Sequence, residues 1–197
     1  MAGGEVGVSA ELQNIKSPAL FRRVWAMPSA DTFNVPPIAG FVKKYLMHSV
    51  VSVDPFSRNK RWATHTNDLN PDTSAQHHMD AEDFLLKLKC EGVFPDLVIF
   101  DPPYSIGQIV TTYASFGIDR DAKGTHNGAL YSRTRDAIRQ IIHEGSIVLS
   151  FGWNSCGMGV GWEIIELLLV AHGGAHNDTI CMAERKLPPE PDMFSTL

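Results

Sequence analysis

An aspartate, two prolines and a tyrosine, Asp101-Pro102-Pro103-Tyr104, directly follow the apolar run Leu97-Val98-Ile99-Phe100. The run reads as a strand buried on both faces, as in a parallel sheet. Reactive groups in open α/β sheets collect at the carboxyl ends of such strands. Proline fixes φ near about −65° and drives the residue before it into extended geometry. Asp101 and Pro102 each precede a proline, so the backbone is stiff and cannot begin a helix at once. A carboxylate, a free carbonyl and an aromatic ring are thus held together at a strand tip.

That set suits chemistry at the exocyclic amine of a nucleobase. Such an amine is a poor nucleophile because its lone pair is delocalised into the ring. Acceptors on its two N–H bonds, here the Asp101 carboxylate and the Pro102 carbonyl, favour a pyramidal nitrogen and stabilise the positive charge that develops as it attacks. Tyr104 offers a face for a base taken out of its stack.

The elements that must position this tip alternate between strand and helix from residue 50 onward. Strands are expected at 50–54, 63–68 and 97–100, with a short one over 75–79, then 147–151, 167–171 and 179–183. Helices are expected over 38–46, 81–89, 132–143 and 161–166, the third carrying Ala137, Ile138, Ile141 and Ile142 on one stripe. Alternation implies a doubly wound, mostly parallel α/β sheet. The turn 172–178, with Gly173 and Gly174, implies an antiparallel closing hairpin. Residues 1–20 are expected as a loose leader, 21–186 as a single domain and 187–197 as an extended tail. Three strand tips before Asp101 end in acid: Asp54, Asp68 and Asp80. Together they could accept from an amine, from ribose hydroxyls and from an adenine amino group.

At 197 residues and 44% hydrophobic content, the chain is long enough for one well-cored domain. No apolar run approaches the roughly 20 residues that span a bilayer, and no export signal is apparent at the N-terminus. Cys90, Cys156 and Cys181 are odd in number and unpaired in spacing, the pattern of reduced, buried thiols in a cytoplasmic protein. His77-His78 and the His172, His176 pair lack ligand spacing, and no metal is expected. The formal net charge of −5 opposes strong nonspecific binding to nucleic acid. Positive charge would have to come from local clusters: Arg58 to Arg61, Arg120 with Lys123, and Arg133 with Arg135.

Val98 to Tyr104 resembles the catalytic motif of the amino-methyltransferases, in the Asp form typical of DNA adenine-N6 methyltransferases. Asp54-Pro55-Phe56 resembles the first cofactor motif of that family, where a glycine-rich turn follows. Here 57–61 contains no glycine, so the cofactor loop is expected to be held by side chains. Asp68 resembles the family's ribose-binding acid, and Asp80-Ala81 the segment touching the cofactor's adenine. Asp31 to Ile38 resembles the N-terminal cofactor motif, with Phe33 at the methionine end, and 172–178 the closing hairpin of small phage-type enzymes.

This resemblance implies a Rossmann-like class I methyltransferase fold: a mostly parallel seven-stranded sheet with a closing antiparallel hairpin. It also implies S-adenosylmethionine as cofactor, and double-stranded DNA as substrate with an adenine flipped onto Tyr104. Asp101, Pro102, Pro103 and Tyr104 would be catalytic; Phe33, Asp54, Pro55, Phe56, Asp68, Asp80 and Ala81 would bind cofactor. The insertion 105–131 is expected to engage substrate through Arg120 and Lys123. Phe151 and Trp153, at the next strand tip, could wall the base pocket. A homodimer is left open, as are RNA adenine or cytosine N4 as targets and a non-catalytic binding module on a decayed methyltransferase fold.

Overall fold

The structure, a computed structural model, describes residues 18–117 and 129–189. One seven-stranded sheet organises them. Its strands are β1 (Leu20–Trp25), β2 (Ser52–Asp54), β3 (His65–Thr66), β4 (Leu97–Phe100), β5 (Ile147–Gly152), β6 (Trp162–Ala171) and β7 (Thr179–Lys186). Across the sheet they run β1-β6-β7-β5-β4-β2-β3. All neighbours are parallel except β7, which is antiparallel to both β5 and β6. The mixed sheet and the antiparallel β6–β7 hairpin match the expected architecture. Outward from β2, the chain visits β3 on one side and β4 on the other, so the topological switch point lies between β2 and β4. Crevices that hold ligands form outside the carboxyl ends of strands at such a point.

The helices are α1 (Pro36–Leu46), α2 (Ala81–Cys90), α3 (Ile106–Ser115) and α4 (Leu130–Ile141). Strand alternation sends Leu97, Ile99 and Leu149 to one face, where they join Phe33, Phe41 and Ile38 of the α1 side. Val98, Phe100 and Val148 go to the other face, under Phe84, Leu88, Ile138 and Ile141 of α2 and α4. A strand buried on both faces therefore carries the Asp101 tip, which explains the unbroken apolar run before it.

Several elements differ from expectation. Residues 162–166, expected as a helix, form the first half of β6. Trp-Glu-Ile-Ile-Glu fits either periodicity, and pairing with β7 decides it. The short strand expected over 75–79 shrinks to one parallel bridge between His77 and Asn67. The seventh strand is instead β1, which lies across the expected boundary between leader and domain. It is a largely exposed edge strand, held where Arg22 donates to Glu166 at 2.6 Å. Lys44 and Tyr45 of α1 donate to the same carboxylate. Burial opposes the Glu166 charge, but these three hydrogen bonds outweigh it and hold its carboxyl below the usual value. Within the expected insertion, α3 forms because Ser105 caps it, accepting from the Gln108 amide. Of the cysteines only Cys181 is buried; Cys90 and Cys156 are exposed. Among the described residues no helix is long and apolar enough to cross a membrane.

Candidate active site

A cleft of about 750 Å³ opens along the strand tips at the carboxyl edge of the sheet, within the usual range for small-molecule sites. The sheet order fixes the sequence of its walls. Asp68 to Asn70 follow β3, Pro55 to Asn59 follow β2, and Asp101 to Tyr104 follow β4. Trp153 then follows β5, and Thr179 begins β7. Asp101 thus sits midway along the cleft, with β2 and β3 tips on one side and β5 and β7 on the other.

The tetrapeptide Asp101 to Tyr104 is locked from several directions. Tyr104 donates its hydroxyl to Asp101 Oδ1 at 2.8 Å and lies 3.3 Å from the Thr32 hydroxyl. Its amide donates to Gln108 Oε1 of α3 at 2.7 Å. Tyr131 of α4 donates its hydroxyl to the Pro103 carbonyl. Among the described residues nothing donates to the Pro102 carbonyl. Burial pushes the Asp101 carboxyl up to about 6, against hydrogen bonds from Tyr104 and Thr32 and the positive charge of Arg58. Burial, then the Asp101 charge, raises the Tyr104 phenol, which remains a neutral donor.

The other expected residues are placed as follows. Pro55, Phe56, Asp68, Ala81 and Trp153 line the cleft. Trp153 is 42% exposed, and its ring stands edge-on to Tyr104, with centroids 5.7 Å apart. Asp68 ties two loops, accepting from the Arg58 amide and the Asn70 amide, each at 2.9 Å. Asp54 lies beneath the cleft floor, buried, accepting from the Phe56 amide at 3.0 Å. Burial raises its carboxyl well above the usual range, and the Asp101 and Asp68 charges push it further. Asp80 caps α2 and accepts from the Tyr113 hydroxyl at 2.9 Å, while its neighbour Ala81 faces the cleft. Phe33 and Phe151 do not line the cleft. They pack together in the core, with centroids 5.3 Å apart, because both point to the α1 face of the sheet. Phe151 therefore supports the pocket from behind instead of walling it. Arg120 and Lys123 lie outside the described residues.

The basic clusters expected to face nucleic acid are partly internal. Arg133 pairs with Glu82 at 2.7 Å, and Arg135 donates to the Gly157 carbonyl at 2.7 Å. Lys60 donates to Asn34 at 2.7 Å. Sequence reasoning missed Thr32, Gln108 and Tyr131 as parts of the site. Thr32 and Tyr131 act across long stretches of chain, and Gln108, four residues from Tyr104, acts only because α3 begins at once after the tetrapeptide; none carries a local motif.

No family description matches this sequence, and no curated protein matches it. Solved structures do match in shape. TrmN from Thermus thermophilus aligns with a TM-score of 0.51 at 13% identity, over 78% of this chain and 49% of its own. The chain therefore spans about half the length of TrmN. The yhhF protein of Escherichia coli, described as a methyltransferase, aligns with a TM-score of 0.49 at 11% identity, over 82% of this chain and 91% of its own. The fold is that of the class I S-adenosylmethionine-dependent methyltransferases. In that fold the cleft at the β2/β4 switch point, with Asp101 at its centre, is the candidate active site.

The donor set of the cleft fits the methyl donor. Phe56, Leu69, Met79 and Ala81 provide apolar wall for a flat ring, Asp68 offers carboxylate oxygens, and Arg58 brings a cation. That is the mixture a molecule with an adenine, two ribose hydroxyls and an amino-acid end requires.

Proposed function

We propose that the chain transfers a methyl group from S-adenosylmethionine to the exocyclic N6 amine of adenine in DNA. One observation carries this reading: the Asp101 carboxylate and the unengaged Pro102 carbonyl share one rigid strand tip midway along the cleft. When bound, the cofactor supplies an electrophilic methyl on a sulfonium. The rest is the work of this chain's own residues. Asp101 and the Pro102 carbonyl accept from the two N–H bonds of the amine, localise its lone pair and stabilise the positive charge that forms. As the N–C bond forms and the S–C bond breaks, the surplus amine proton passes to the Asp101 carboxylate or to water. Tyr104 and Trp153 flank the place where a flipped base would lie, on the β5 side of Asp101. Asp68, Ala81 and the loop Pro55 to Asn59 bind the cofactor on the β2 and β3 side, with Asp54, Asp80 and Phe33 shaping that wall from behind. Arg120 and Lys123 reach the nucleic-acid backbone.

The Asp form of the motif favours adenine over cytosine, and DNA over RNA follows from the resemblance of Val98 to Tyr104. The test is transfer of labelled methyl from S-adenosylmethionine to duplex DNA, with RNA of the same sequence alongside. The native chain is expected to label DNA, and Asp101→Ala to lose about a hundred- to a thousandfold, as when a principal charge-stabilising group is removed. Labelling of RNA alone would replace the substrate in this proposal. No labelling of either, with no cofactor binding, would leave a non-catalytic module.

A further inference from the structure

The loop after β2 holds the one non-glycine residue with positive φ among the described residues, Arg58 at φ 49°. That conformation is one an L-residue adopts at a cost and that persists only where its surroundings demand it. Two contacts make the demand. The Arg58 amide donates to Asp68 Oδ2 at 2.9 Å, and one guanidinium nitrogen donates to the Ala30 carbonyl at 2.7 Å. The left-handed turn thereby swings the side chain over the cleft, toward the loop that precedes α1. Next to it, Lys60 donates to Asn34 and lies 3.7 Å from Asp31, which ties the same two loops together.

Arg58 is the only Lys or Arg among the described residues lining the cleft. Its guanidinium makes no ion pair with any described residue and has five N–H donors, of which Ala30 engages one. The cation also acts on the site, since its charge pulls the raised Asp101 carboxyl downward. Its remaining donors face the cleft without a close ion pair to a described residue, and the methyl donor has one carboxylate. The loop it belongs to is the glycine-free one.

We infer that Arg58 binds the carboxylate at the amino-acid end of the methyl donor, a task that backbone N–H groups of a glycine-rich turn would otherwise share. This rests on the proposed methyl-donor site and adds to it the residue that reads the donor's amino-acid end. Arg58→Gly tests it well, because glycine accepts the left-handed turn without strain and only the guanidinium is lost. Calorimetry with S-adenosylhomocysteine and with 5′-methylthioadenosine, which lacks the amino-acid end, separates the ends of the ligand. Arg58→Gly and Arg58→Met are expected to weaken S-adenosylhomocysteine by at least about tenfold, as for a charged hydrogen bond. 5′-Methylthioadenosine should change by less than about twofold, and Arg58→Lys should recover part of the loss. Equal losses for both ligands, or no loss for either, would overturn the assignment while the native chain still binds S-adenosylhomocysteine. Failure of the native chain to bind S-adenosylhomocysteine would instead overturn the methyl-donor site itself.

Discussion

Asp101 must be ionised to accept from a substrate amine, yet its surroundings raise it to about 6. The rate at low substrate concentration, kcat/KM, should therefore rise with pH through a midpoint near 6 and level off above it. The Tyr104 hydroxyl stabilises the carboxylate through its 2.8 Å hydrogen bond, so Tyr104→Phe should move that midpoint upward. A pH profile flat from 5 to 8, or a downward move in Tyr104→Phe, would contradict this account of Asp101. The strand-tip motif was legible because local chemistry writes it: an apolar run, an acid and two prolines confine the tip whatever surrounds it. The role proposed for Arg58 was not legible. It appears in sequence as one member of a basic cluster and acquires its position only where Ala30 and Asp68 meet it from distant segments. Phe33 and Phe151 show the converse. Each sits beside a cleft loop in sequence, but the pleat of β5 turns Phe151, and the 3-10 turn Thr32–Asn34 turns Phe33, into the core.

Among the elements, the stretch between β5 and β6 is short and held by one buried carboxylate. Glu184 of β7 is 3% exposed, accepts from the Met158 amide at 2.9 Å and from Ser150 at 3.1 Å. Burial raises its carboxyl, against those hydrogen bonds and the charges of Arg135 and Arg139. Gly157 lies over this carboxylate with φ 50°, and a Cβ there would come within 2.3 Å of Glu184 Oε1. Gly157→Ala should cost about 2–4 kcal/mol, combining left-handed strain with displacement of a buried charge. Urea unfolding measures it, and a loss below about 0.5 kcal/mol would show that the turn relaxes freely. Strands 97–100 and 147–151 and the helices over 38–46 and 81–89 were legible to within a few residues, because burial and caps fall within each segment. β1 and the first half of β6 were not. β1 is set by six paired positions with the second half of β6, from Leu20↔Glu166 to Trp25↔Ala171, and by the Arg22–Glu166 contact; the first half of β6 is set by its pairing with β7, from Trp162↔Lys186 to Ile164↔Glu184.

For the molecule as a whole, the sheet order puts Asp101 between two sides of one cleft, which the proposed function assigns to a methyl donor and to a base. A doubly wound sheet was readable from alternation alone; the order β1-β6-β7-β5-β4-β2-β3 was not, since it depends on which edges meet. The formal net charge of −5 limits any electrostatic hold on nucleic acid. Replacing Arg120 and Lys123 together should weaken DNA binding and flatten its dependence on salt, whereas identical binding at low and high salt would remove 105–131 from the substrate surface. The central claim, that the Asp101 tip methylates adenine in DNA, is tested most directly by analysing the nucleosides of duplex DNA after incubation with S-adenosylmethionine. The account predicts N6-methyldeoxyadenosine from the native chain and almost none from Asp101→Ala; methylated cytosine, or the same yield from both proteins, would contradict it.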